Sequence, residues 1–288
     1  MEIEVKGHSG CEITIKRQAD RLYVYKSTND PSYVDRLLKQ AEKQRKASQI
    51  EYQHMRVPQI LEIEGDDSHL TIKMPYIYSK NFVEYFEQSG FEQIDFLIDA
   101  IKAFIEKELQ QSPLQKVDGA VFERKIEEVC GKTLQKAEMA DDEEIVDILS
   151  RAKSLFASLG DWEIPVGLCH GDLTFSNMLF NGNNYFLIDF LDSYVETPLQ
   201  DIVKIRQDTD YGWSQLMYVQ QCDSVRLRII FDKIDSEIDR YFAERYEWYR
   251  TYYKPMQLMN MLRILPYAHE QRVIVYLKTI ISRLLDEI

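Results

Sequence analysis

No stretch of this chain comes near the ~18 consecutive apolar residues that a membrane-crossing helix needs, so no membrane association is expected. Its four cysteines, Cys11, Cys130, Cys169 and Cys222, form no CxxC pair and stand near no histidine cluster. That spacing excludes a disulfide scaffold and a structural zinc site, and it suits a reducing compartment. The opening MEIEVKGHSG lacks the apolar central region of a secretory signal and alternates like a strand, so a cytoplasmic protein is expected. Positive charge is also short: 35 Lys and Arg face 48 Asp and Glu, for a net charge of −13. A nucleic-acid binder needs a basic face to neutralise phosphates, so no nucleic-acid partner is expected. The acidity is compatible with a cationic small molecule and equally with plain solubility. Internal repeats, low-complexity tracts and flexible linkers are missing as well.

What is present is an ordinary globular balance, 45% hydrophobic and 29% charged, over 288 residues, enough for two domains. The first eighty residues read as β-rich. Glu2 to Lys6 alternates, Gly7-His8-Ser9-Gly10 turns, and Glu12 to Lys16 alternates again with Ile13 and Ile15 on one face. Arg21 to Lys26 is a third strand. Asp30 as cap and Pro31 at the first helical position start a helix that runs to about Ser48 on Val34, Leu37, Leu38 and Ala41. Gln59 to Glu64 and His69 to Met74 are strands around the turn Gly65-Asp66-Asp67-Ser68. From Asn81 the pattern becomes helical: Phe82 to Gly90, Phe91 to Gln111, Val121 to Ala137 and Asp142 to Leu159. A β-like island at Val166 to His170, Met178 to Phe180 and Tyr185 to Ile188 interrupts the helices, which resume after Leu199. The expected class is α+β: a five-stranded antiparallel sheet with one helix in residues 1–77, and a mainly helical part in residues 78–288.

The polar residues of the island carry the chemistry: His170-Gly171-Asp172-Leu173-Thr174-Phe175-Ser176-Asn177, then Leu187-Ile188-Asp189-Phe190. Two neighbouring apolar strands would deliver two carboxylates and an amide to one spot. Phosphoryl transfer asks for little more: a cation bridging the phosphates, an acceptor hydroxyl held in line, and a carboxylate beside that hydroxyl. Asp172 suits the carboxylate. Asn177 and Asp189 offer the hard oxygen ligands that magnesium prefers.

HGDxxxxN followed by apolar-apolar-Asp-Phe resembles the aminoglycoside phosphotransferase and choline kinase family, the small-molecule branch of the protein-kinase-like fold. The resemblance implies a two-lobed fold that uses ATP and Mg2+. It further implies that the Gly7, Ser9 and Gly10 loop covers the phosphates with its N–H groups, that Lys26 contacts the α- and β-phosphates, and that a helix glutamate, here Glu42, pairs with Lys26. In the segment after Met74, the Pro75 carbonyl and the Ile77 N–H would hold adenine; proline lacks an N–H but keeps the carbonyl that is needed there. The chain departs from protein kinases in having Gly171 before the catalytic Asp and Leu191 after Asp189-Phe190, both normal for the small-molecule branch.

Pro198 stands nine positions after Asp189, which leaves little room for the peptide platform of a protein kinase. The acceptor is therefore expected to be a small hydroxyl compound: a sugar, an amino alcohol or an aminoglycoside-like molecule. Asp208, Asp210, Tyr211 and Trp213 are the candidate acceptor pocket, since acidic and aromatic groups together suit amines and sugars. The stretch from His170 to Gln207 also resembles phosphotransferases associated with bacterial surface polysaccharides. Two rival readings are a catalytically silent nucleotide-binding regulator, opposed by the intact Asp172, Asn177 and Asp189, and a protein Ser/Thr kinase.

Overall fold

The computed structural model describes residues 2–6, 11–218 and 220–288, the first five as main chain only. In chain order the elements are β1 (Glu2–Lys6), β2 (Glu12–Gln18), β3 (Arg21–Thr28), α1 (Pro31–Ala47), β4 (Met55–Arg56), β5 (Glu62–Gly65) and β6 (Leu70–Pro75). There follow α2 (Phe82–Gln88), α3 (Phe91–Leu109), β7 (Leu114–Val117), α4 (Gly119–Leu134), α5 (Ala137–Ala140), α6 (Glu143–Leu159) and β8 (Trp162–Pro165). A single 3₁₀ turn (Phe175–Asn177) leads into β9 (Met178–Asn181) and β10 (Asn184–Leu187). The helices α7 (Pro198–Thr209), α8 (Trp213–Met217), α9 (Ser224–Arg245), α10 (Glu247–Leu262) and α11 (Gln271–Glu287) complete the chain.

The chain divides into two compact units, one of residues 1–107, 170–193 and 216–230, the other of residues 108–169, 194–215 and 231–288. In the first, five antiparallel strands lie in the order β1-β2-β3-β6-β5. Alternation drives the pairing of β3 with β6: Leu70, Ile72 and Met74 are buried, and with Val34, Leu37 and Ala41 of α1 they form one apolar cluster. Helix α1 starts where the cap chemistry places it, with the Asp30 carboxylate accepting from the Ser32 N–H at 2.9 Å and Pro31 at its first turn. A second, three-stranded sheet, β4-β10-β9, carries the hairpin of the island, with β4 parallel to β10. Helix α2, closed by an Asn81–Glu84 capping box, packs aromatic rings beneath that hairpin: Tyr85 stacks on Phe180 at 4.5 Å, and its hydroxyl meets that of Tyr185 at 2.8 Å.

The other unit is helical with one two-stranded ribbon, β7 against β8. Its packing pairs are α4 with α6, α6 with α11, and α10 with α7 and α11. Trp162 of β8 is fully buried, stacked on Phe122 at 3.8 Å and on Tyr252 at 5.0 Å. The buried Arg206 guanidinium is held bidentately by Asp235 at 2.9 Å, bonds Asp239 and the Tyr249 hydroxyl, and lies over the Tyr253 ring.

Two elements differ from expectation. Val166 to His170 is not a strand: the strand lies four residues earlier, at β8, because Trp162 and Ile164 pair with a partner, Leu114–Val117, whose mostly exposed residues carry no apolar pattern. Residues 166–170 form an irregular segment, half-buried at Val166 to Leu168 and buried at Cys169 and His170, where Val166 and Gly167 donate to the Pro113 and Glu196 carbonyls.

Candidate active site

The expected centre is assembled by the loop from His170 to Asn177 and the residues that follow β10. Leu173, Phe175, Met178, Phe180, Tyr185, Leu187 and Phe190 are buried and anchor the segment, while Asp172, Asn177 and Asp189 are only half-buried. Asn177 uses both of its amide hydrogens on Asp172, one on the main-chain carbonyl at 2.9 Å and one on Oδ2 at 2.8 Å. The Asn177 carbonyl in turn accepts from the Ile188 N–H at 3.1 Å, which sets Asp189 beside it along the chain. Lys26 of β3 reaches the same point: its Nζ donates to Asp189 Oδ1 at 2.9 Å, with the lysine side chain 7% and the aspartate side chain 35% exposed. Asp172, Asn177, Asp189 and Lys26 are thus linked by one chain of bonds.

His170 supports the loop from below. It is completely buried, and burial, opposed by the nearby Asp172 carboxylate, lowers its pKa to about 4. The ring is therefore neutral at neutral pH. Asp172 N–H donates to Nδ1 at 3.2 Å, which leaves the Nε2–H to donate to the Ile188 carbonyl at 2.9 Å. The His170 carbonyl accepts from the Leu191 N–H at 2.9 Å, so this residue ties the two loops together at two points. Gly171 is required by their closeness: its φ is +86°, and a Cβ there would sit 2.2 Å from the Leu191 oxygen. Asp189 itself holds a left-handed φ of 61°, uncommon for a non-glycine residue and a frequent mark of functional sites.

The donor set fits magnesium. With its amide nitrogen committed to Asp172, Asn177 has its amide oxygen as remaining donor, and Asp189 contributes a partly exposed carboxylate. Among the described residues no group of three or more His, Cys, Asp or Glu is arranged around a metal position. A two-residue set completed by phosphate and water is the arrangement this smaller cation commonly takes.

The remaining expected residues fare differently. Gly7, Ser9 and Gly10 lie outside the described residues. Pro75 closes β6; Tyr76 donates to the Leu22 carbonyl, so the Pro75 carbonyl, one residue earlier, faces away from β3. Ile77 follows, half-buried. Glu42 is not the partner of Lys26. The inward residues of α1 are Val34, Leu37, Gln40, Ala41, Lys43, Gln44 and Ala47, and the helical period leaves Glu42 on the exposed side. Lys43 and Gln40 were the residues to look for: Lys43 is buried and donates to the Leu191 carbonyl at 2.6 Å, and Gln40 is buried with neither amide atom bonded. The Val34, Leu37, Ala41 stripe does not foretell this, since Lys43 lies on another side of the helix and is inward only because the buried face is unusually wide.

Asp208, Asp210, Tyr211 and Trp213 are engaged in the packing of their own unit. Asp208 is fully buried and accepts from the Ser214 N–H at 3.0 Å. Asp210 faces Arg206 and Arg283 at 3.8 and 3.9 Å, the Tyr211 carbonyl accepts from Tyr276, and Trp213 packs near the Tyr276 ring. The end of α7 consumes these groups in closing its own C-terminus.

Comparison with known proteins bears on the fold and the family. Among solved structures, a thermostable mutant of the aminoglycoside phosphotransferase APH(4)-Ia, in ternary complex with AMP-PNP and hygromycin B, matches with a TM-score of 0.65 at 10% identity, over 99% of this chain and 93% of that one. An aminoglycoside-3'-phosphotransferase of type VIII matches with a TM-score of 0.54 at 16% identity, over 99% and 93%. The spectinomycin phosphotransferase APH(9)-Ia, in complex with ADP and spectinomycin, matches with 0.54 at 13%, over 99% and 92%. The fold is accordingly the protein-kinase-like α+β fold of small-molecule kinases. No curated protein matches the sequence. The model of the phosphotransferase enzyme family matches residues 15–223, well over half of the chain, and the chain belongs to that family.

Proposed function

We propose that this phosphotransferase moves the γ-phosphoryl group of ATP, with magnesium, to a hydroxyl of a small molecule. The observation that carries the reading is two side-chain contacts, Asn177 with the Asp172 carboxylate and Lys26 with that of Asp189, joined along the main chain by the Ile188 N–H on the Asn177 carbonyl. Asp172 would orient the acceptor hydroxyl and take its proton as the new O–P bond forms and the bond to ADP breaks. Asn177 fixes the rotation of that carboxylate through Oδ2. Asn177 and Asp189 would hold magnesium, which when bound neutralises the charge of the transferring phosphoryl group. Lys26, paired here with Asp189, would turn its ammonium to the α- and β-phosphates. In this reading residues 1–77 bind the nucleotide, adenine through Pro75 and Ile77, and residues 78–288 carry the catalytic loop and the acceptor surface.

A small acceptor is supported by the nine-position step from Asp189 to the first residue of α7 and by the hygromycin B and spectinomycin bound to the related structures. We place it among sugars, amino alcohols and aminoglycoside-like compounds; the resemblance to surface-polysaccharide phosphotransferases favours the first two. Four cysteines that form no disulfide support a cytoplasmic setting. The test is incubation with ATP, magnesium and a panel of monosaccharides, choline, ethanolamine and aminoglycosides, read by mass spectrometry. A phosphorylated compound from the panel is expected. Phosphorylation of the protein alone would point to a protein kinase, and nucleotide binding with no turnover to the silent regulator.

A further inference from the structure

We propose that Lys43 is a positioning residue of this centre, a cationic brace that holds the backbone of Asp189 in its metal-binding conformation; the inference rests on the phosphotransferase reading above. Lys43 comes from α1, and its ammonium donates to the Leu191 carbonyl two residues past Asp189. The same Nζ would lie 3.2 Å from a Cβ placed on Gly171, so it also sits against the residue before Asp172. One charge therefore touches both loops that carry the reacting groups.

Two physical facts make this more than a packing contact. An ammonium is costly to bury, and Lys43 is only 9% exposed, so its place is held by bonds and not by chance. Asp189 has a left-handed φ of 61°, a conformation costing a non-glycine residue ~1–2 kcal/mol, which persists only where the surroundings over-determine it. Among the described residues, four bonds hold the main chain of residues 188–191: Asn177 O to Ile188 N, His170 to Ile188 O, His170 O to Leu191 N, and Lys43 to Leu191 O. Three of these come from the catalytic loop itself. Lys43 supplies the one from another element. The Lys26–Asp189 ion pair also bears on this residue, but it occupies the carboxylate that a metal must take. The bond from Lys43 goes to the main chain and does not use that carboxylate. The brace can stay in place when the metal enters.

The test is calorimetry of an unreactive ATP analogue binding the full chain, with and without magnesium, for wild type, K43M and K43R. Wild type is expected to bind more tightly when magnesium is added. K43M should keep its metal-free affinity and lose about tenfold of that magnesium gain, the factor that matches release of the backbone strain. K43R should restore most of it. A merely structural lysine would lower the Tm of K43M and leave the magnesium gain intact. An equal gain in wild type and folded K43M overturns the proposal while the phosphotransferase reading stands; a wild type that binds no nucleotide overturns both. Should K43M fail to fold, K43Q, which keeps a donor without the charge, is read by the same criteria.

Discussion

At His170 a single imidazole explains why the loop before Asp172 has the shape it has. Burial holds its pKa at about 4, against about 6.5 for the unfolded chain, so the folded state excludes a proton that the unfolded state accepts. The contribution to stability is complete above the unfolded value and declines as pH falls from about 6.5 towards 4, by up to about 3 kcal/mol. NMR of the ring nitrogens should show this histidine neutral at about pH 5, with the proton on Nε2. A titration midpoint near 6.5 would contradict the burial argument. The residues around it were legible in the sequence because HGDxxxxN and Ile188-Asp189-Phe190 are short contiguous motifs whose chemistry does not depend on distant packing. Lys43 touches the same site but, like the buried Gln40 on its helix, carries no motif. Their importance comes from which way a helix faces, and a lysine between Glu42 and Gln44 reads as solvent-exposed until that facing is known.

At the scale of the element, α1 shows where pattern reading succeeds and where it stops. Its start was readable from Asp30 and Pro31, because capping is local chemistry. Its role in the site was not, because assigning Glu42 to Lys26 requires the helix to be rotated by a residue or two from its true orientation. The structure turns Glu42 outward and gives Lys26 to Asp189. Glu42→Ala is therefore expected to leave nucleotide affinity and Tm essentially unchanged; a loss of about tenfold in affinity would restore the helix-glutamate pairing. Strands β7 and β8 make the same point for sheets. The burial pattern of β8 is visible only once its partner is known, and β7, three of whose four residues are exposed, offers no alternation to find.

Across the whole molecule, the two compact units are built on different interactions. The first rests on a five-stranded sheet and an aromatic platform, the second on helix packing around buried polar groups. Arg206 is central to the second. It lies on α7 and gathers Asp235 and Asp239 of α9 with Tyr249 and Tyr253 of α10. Removing one member of such a buried set strands the opposite charges, so Arg206→Met should cost about 3–5 kcal/mol in urea unfolding. A loss below about 1 kcal/mol would show that the cluster is replaceable. Of the residues near 208–213 that the sequence offers as an acceptor pocket, Asp210 faces this arginine at 3.8 Å: composition alone does not separate a pocket wall from a packed ion pair.

The central claim is that Asp172 serves the reacting hydroxyl while nucleotide and metal are held by other groups. It is tested most directly by comparing Asp172→Ala with wild type for acceptor phosphorylation and for magnesium-dependent binding of an unreactive ATP analogue. Turnover should fall by at least about a hundredfold, with analogue affinity within about twofold of wild type. Turnover that survives the substitution would contradict the assignment of Asp172.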